Sequence, residues 1–177
     1  MADSDDIHDG PTGQLLRDWV AVLPDIDITS FSIQLRIAQI DSLAIRTTNR
    51  IAARFDLNHI DVRLLMAIKR AQQETPPIRP SDLWRRFDIA PSAITRRVDR
   101  FFERGLVERI PHPTDRRALY VKLTDKGHET TAAIVTAFHA ATRKNMHEVD
   151  QTPGGRRLLD KLLGALVRQW EASEPLE

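Results

Sequence analysis

The chain has 177 residues, 41% of them apolar, and a net charge of +1, enough for one compact domain with surplus helices that need a partner. It contains no cysteine, which excludes a disulfide framework, a thiolate metal site and a thiol redox switch. No run of ~18 apolar residues marks a membrane span and the acidic stretch from Met1 to Asp9 does not read as a signal peptide, so the expected location is cytoplasmic.

In chain order, Leu15, Leu16, Trp19 and Leu23 predict a short first helix, closed by the turn Pro24-Asp25-Ile26-Asp27. From Ile33 to about Arg54, Ile40, Leu43, Ala44, Thr47 and Ile51 recur at helical spacing between the polar Gln39, Asp41, Asn49 and Arg50. Asn58 then suits the cap of a helix whose Val62, Leu65, Met66 and Ile68 are expected in the core.

The segment from Pro80 to Gly127 is the most informative. Pro80 fits a first helical position, where its missing N–H costs nothing, and Asp82 suits the positive end of the helix dipole. Leu83 and Phe87 share one face, and Asp88-Ile89-Ala90 makes a turn. A second helix is expected from Pro91 to about Arg104. Ile94, Val98 and Phe101 form its inner face, with Phe102 at the margin; Ser92, Arg96, Asp99 and Glu103 lie opposite, flanked by Ala93 and Arg100. Gly105 ends that helix where a left-handed residue is needed.

Leu106-Val107-Glu108-Arg109-Ile110 alternates as a strand. Pro111-His112-Pro113-Thr114-Asp115 cannot continue a ladder, because both prolines lack a donor, and Ala118 to Leu123 returns as the second strand. The tip carries Asp115-Arg116-Arg117, in which Asp115 can brace Arg117 by a charge-assisted pair. Thr124 and Asp125 open a long helix expected to reach Val149, and Asp150-Gln151-Thr152-Pro153 breaks it. In the last helix Leu159, Leu162, Leu163, Leu166, Val167 and Trp170 form an apolar stripe too wide for one small domain to cover, which points to a two-fold partner.

Two helices followed by an arginine-tipped ribbon are the parts of a winged helix-turn-helix. The expected class is therefore mainly α with a small antiparallel β wing and flanking N- and C-terminal dimerisation helices. Its divisions are a disordered acidic tail (1–12), N-terminal helices on the dimerisation and ligand side (13–56), the winged DNA-binding domain (57–127) and C-terminal dimerisation helices (128–172). Between Arg79 and Lys126, 12 Lys/Arg stand against 7 Asp/Glu, a net of +5, leaving −4 for the remainder. The positive charge thus sits on the module proposed to meet DNA. Ser92 and Arg96, near the helix start, are the first choices for base-edge or phosphate contact, with Ala93, Thr95 and Arg100 on the flanks and Arg116 and Arg117 on the wing. A solvated face and an ordinary hairpin-tip ion pair are the plain alternatives.

The run Ala93-Ile94-Thr95-Arg96-Arg97-Val98-Asp99-Arg100, then Glu103 to Arg109, then Asp115-Arg116-Arg117-Ala118 and Leu123-Thr124-Asp125-Lys126-Gly127, resembles the recognition helix, wing and following helix start of the MarR family. The resemblance extends over roughly residues 31 to 170; Ala90 departs from it where a serine or threonine cap is common. It implies a homodimeric transcription factor, more often a repressor, on a palindromic operator whose half-sites are read by recognition helices about 34 Å apart.

It also implies control by a small molecule, often aromatic or anionic, bound between the dimerisation helices and the winged module. Trp19, Asp61, Arg97 and Arg109 sit where the family's urate-responsive branch has its ligand residues. Arg97 lies about 300° round the wheel from Ile94, beside the core side, which suits an internal anion better than a DNA groove. Each has an ordinary reading too. Asp61 favours a helix dipole unaided, Trp19 can anchor Leu15, Leu16 and Leu23, and Arg97 and Arg109 can pair with Glu108 or Asp99 or touch phosphate.

Other classes find less support. No Gly-rich phosphate loop, serine elbow or HExxH motif is present, so no enzyme and no cofactor are expected. His8, His59, His112, His128, His139 and His147 include no i, i+4 pair, so no metal site is expected, and a metal-responsive regulator would need ligands from separate helices. A winged helix used only for protein interaction remains the alternative, which steep salt dependence of DNA affinity would separate from a DNA binder.

Overall fold

A computed structural model describes residues 11–23, 25, 28–72, 78–84, 90–111 and 119–173. These form eight helices and one two-stranded antiparallel sheet: α1 Pro11–Val22, α2 Ile28–Ala52, α3 His59–Ala71, α4 Pro80–Trp84, α5 Pro91–Glu103, β1 Val107–Pro111, β2 Leu119–Leu123, α6 Asp125–Asn145, α7 His147–Asp150 and α8 Gly155–Ser173. A single 3-10 turn, Ala53–Phe55, closes α2. No helix among the described residues is long and apolar enough to cross a membrane.

The chain divides into two compact units, residues 1–59 and 60–177. In the first, α1 packs on α2, and the Trp19 ring meets Phe31 edge-on with centroids 6.0 Å apart. α2 begins five residues earlier than Ile33, the start expected from its apolar pattern, at Ile28. Ile28, Phe31 and Leu35 carry the apolar period back through that first turn. Asp56 takes up the left-handed region at φ 51°, and the Leu57 N–H returns to the Ala52 carbonyl. The start of α3 is satisfied from a distance: the Asn49 side-chain oxygen accepts from the His59 N–H at 2.8 Å.

The second unit is built around Val62, Leu64, Leu65, Ile68, Leu83, Ile94, Val98, Phe101, Val107, Val121 and Ile134, all buried. Each such side chain contributes roughly 1.5–3 kcal/mol by leaving water. Met66, expected in this core, is instead exposed. It shares the outward face of α3 with Arg63 and Arg70, at spacings of 3 and 4.

Helix α5 runs from Pro91, at its first position, to Glu103, and Ala90 provides no side-chain cap. The strands pair in the register Val107↔Leu123 through Pro111↔Leu119, and Lys122 bonds its cross-strand neighbour Glu108 at 2.8 Å. Pro111, expected in the loop, is the last residue of β1, where no donor is needed from it. The Ile78 carbonyl accepts from the Val121 N–H at 3.0 Å, so the chain before α4 also lies along the ribbon.

The long helix expected to reach Val149 is interrupted at Met146, whose N–H turns back to the Arg143 carbonyl, three residues away. No proline or glycine announces this break. The Asp150 carboxylate then takes two bonds from Arg156, 2.5 and 2.6 Å, which hold its pKa below the ordinary aspartate value. In α8 the stripe of Leu159, Leu162, Leu163, Leu166, Val167 and Trp170 is exposed, joined by Leu158; the chain does not fold this helix back onto its own core.

Candidate nucleic-acid interface

The recognition helix α5 presents two faces. Ile94, Val98 and Phe101 are buried, whereas Ser92, Thr95, Arg96 and Glu103 are exposed and Ala93 is half-buried, as the wheel predicts. The Thr95 hydroxyl donates to the Pro91 carbonyl at 3.1 Å. Ser92 and Arg96 make no side-chain hydrogen bond among the described residues, and both side chains are exposed. The wing tip, with Asp115, Arg116 and Arg117, lies outside the described residues.

Behind the exposed face, α5 is held by a carboxylate on α3. Asp61 is fully buried, and its two oxygens are divided between two arginines one helical turn apart: Arg97 Nη1 donates to Oδ1 at 2.5 Å and Arg100 Nη2 to Oδ2 at 2.7 Å. The arginine side chains are 24% and 42% exposed, so the charges are in part hydrated. A buried carboxylate costs several kcal/mol in desolvation, which two charge-assisted bonds offset. Arg100, placed by sequence on the DNA flank, thus spends one edge of its guanidinium on Asp61. Helical geometry shows its angle on α5 and says nothing of the acid waiting on another helix.

Arg109 reaches from β1 back to α5. Its guanidinium pairs with Asp99 and lies 4.7 Å over the centroid of the Phe102 ring. Of the four residues matched to the ligand site, the structure brings Asp61 and Arg97 together, engages Arg109 with Asp99, and places Trp19 in the other unit, against Phe31.

The far end of α5 is closed by the start of α6. Gly105 adopts φ +66°, and the next contacts come from Thr124, whose hydroxyl donates to the Gly105 carbonyl at 2.6 Å and accepts from the Gly127 N–H at 3.1 Å. The Lys126 ammonium bonds the Arg104 carbonyl at 2.8 Å. Sequence reading identifies Thr124 as the opening of a helix but misses that it also ends the previous one. The close succession of Gly105, Thr124 and Gly127 around a hairpin is the signal that was available.

A short helix, an exposed basic second helix and a two-stranded ribbon packed on it are the parts of a winged helix-turn-helix; Phe87 and the expected turn at Asp88-Ile89 lie outside the described residues. The sequence pattern of the MarR family matches residues 61–119. The HTH-type transcriptional regulator PecS of Dickeya dadantii is 25% identical over 113 residues, 64% of this chain and 68% of that protein. The multiple antibiotic resistance protein MarR of Escherichia coli is 31% identical over 103 residues, 58% of this chain and 66% of that protein. Its apo crystal structure has a TM-score of 0.60 at 25% identity, covering 75% of this chain and 95% of that one. A point mutant of the same protein in complex with operator DNA has a TM-score of 0.58 at 23% identity, covering 84% and 96%. The chain is thus similar to winged-helix transcriptional regulators of the MarR family, and these relatives are regulators, not enzymes.

Proposed function

We propose that this protein is a sequence-specific DNA-binding regulator that acts as a homodimeric repressor on a palindromic operator and leaves it when a small ligand binds. The observation that carries the reading is the exposed Ser92–Arg96 face of a helix whose back is fixed by Asp61. Arg96 would read a base edge or phosphate, and Arg116 and Arg117 of the wing, braced by Asp115, would follow the backbone or minor groove. Likeness to a relative solved with operator DNA supports the same assignment. The uncovered stripe of α8 supports the dimer, since a second copy is the economical cover for it. The expected location is the cytoplasm.

The test is a salt titration of DNA affinity. A dimer making ~8 phosphate contacts should lose roughly 10³ to 10⁵ in affinity between 50 and 200 mM salt. Arg96→Ala should reduce the preference for operator over random DNA by roughly 1–3 kcal/mol. Salt-independent binding, or none at low salt, would end the proposal and favour a protein-interaction module.

For the ligand, we infer an anionic aromatic molecule, urate among them, that draws Arg97 away from Asp61. An incoming anion would compete for the guanidinium and repel the carboxylate, loosening the hold on α5. Arg109 would join only by leaving Asp99. In a thermal-shift screen of anionic aromatics and purines, a hit should raise the melting temperature of the native protein and release it from DNA. Arg97→Ala leaves Arg100 on Asp61, so it should blunt ligand release more than it weakens DNA binding; release that persists in the variant would remove Arg97 from the site.

A further inference from the structure

We propose that the joint between the recognition helix and α6 is a rigid bracket that sets the half-site spacing the protein accepts, with Thr124 and Lys126 as its positioning residues. The inference rests on the dimeric operator-binding reading. Three successive carbonyls at the end of α5 are all taken by the beginning of α6. Arg104 accepts from Lys126 Nζ at 2.8 Å, Gly105 from Thr124 Oγ1 at 2.6 Å, and Leu106 from the Thr124 N–H at 3.1 Å. The Thr124 hydroxyl works in both directions, because it also accepts the Gly127 N–H.

Electrostatics reinforce the geometry. The last turn of a helix carries partial negative charge and the first turn of the next partial positive charge, so α5 and α6 meet end to end with opposite signs. Lys126 adds a full positive charge to the same carbonyl cluster. At Gly127 the backbones touch: a Cβ there would lie 1.9 Å from the Leu106 oxygen.

The consequence is a lever. Helix α6 has 21 residues, and at 1.5 Å per residue it extends about 31 Å. A tilt of about 5° at the joint would move its far end by roughly 3 Å. That far end leads through α7 to the apolar stripe of α8, the surface we assign to the second copy. In a two-fold assembly the distance between recognition helices then depends on the angle at this joint. One inserted base pair turns a half-site by about 34–36° and shifts it along the axis, which a rigid bracket rejects and a loose one tolerates.

The experiment starts from duplexes that the native protein selects out of a random pool, each remade with one base pair added at its centre. Native protein should prefer the original spacing. Thr124→Val, which keeps the shape and loses the hydroxyl with both its hydrogen bonds, should shrink that preference about three- to ten-fold. Thr124→Ser should restore it, because serine can make both bonds. If Thr124→Val does not fold, Lys126→Met, at an exposed position, should relax the preference in the same direction, and Lys126→Arg should retain it. Equal loss of affinity for both spacings, or an unchanged ratio, overturns the bracket. A native protein that selects no paired half-sites overturns the dimeric reading itself, a separate and recognisable failure.

Discussion

Gly127→Ala should be the most destabilising single-methyl change in the winged unit. The added Cβ would lie 1.9 Å from the Leu106 carbonyl oxygen and 3.0 Å from its carbon. Both are backbone atoms, and that oxygen already accepts a bond from the Thr124 N–H. No flexible side chain can give way, so α6 must move by more than an ångström and abandon its contacts with the end of α5. Overpacking against backbone of this kind costs about 3 kcal/mol, or roughly 6–12 °C in melting temperature for a chain of this size. Gly105→Ala makes a useful control. Its φ of +66° carries a strain of about 1–2 kcal/mol, and no heavy atom stands within 4 Å of its Cβ. A calorimetric scan that shows Gly127→Ala melting no lower than Gly105→Ala would mean that the α5–α6 contact yields easily.

The second large effect is expected from Asp61→Asn, which preserves shape and removes charge. The carboxylate has no exposed surface and serves Arg97 and Arg100 at once; an amide offers one oxygen and turns a donor toward the other guanidinium. Breaking a buried pair commonly costs 3–5 kcal/mol. Here the arginines are a quarter and two-fifths exposed and can turn to water, so about 2 kcal/mol is the expected loss. The DNA phenotype should run the other way. Two guanidiniums released on α5 add to the charge available to phosphate, so the salt slope should steepen by about 1–2 while the ratio of operator to random binding falls. Urea unfolding and salt titrations measure the two halves. An Asp61→Asn protein that unfolds and binds as the native one does would reduce the fork to a surface ornament.

Much of the second unit was legible from residues alone. Pro80 and Pro91 at first helical positions, the period of Ile94, Val98 and Phe101, and Gly105 followed by an alternating run locate the helices and strands to within a residue or two. Such signals are local, and local physics decides them. The fork at Asp61 is a different case, because it joins α3 to α5 across 36 and 39 positions of sequence. A helical wheel places Arg97 near the core and Arg100 on the flank, yet the partner that draws both inward belongs to another helix. Met66 failed for a related reason: one apolar residue at the edge of a stripe can lie on either side, and only packing decides. The break at Met146 has no glycine or proline to signal it. The double service of Thr124 is written in its position, but its second partner becomes visible only when the hairpin returns.

The pairing of Arg109 with Asp99 has an electrostatic consequence of its own. Asp99 lies on the side of α5 that carries Ser92 and Arg96, so alone it would push against a polyanion approaching that surface. Arg109, stacked on Phe102 and arriving from the ribbon, cancels that charge. The ribbon therefore assists the helix as a chaperone of its acidity. Drift at position 109 would be felt as repulsion at a distance before any direct contact was lost.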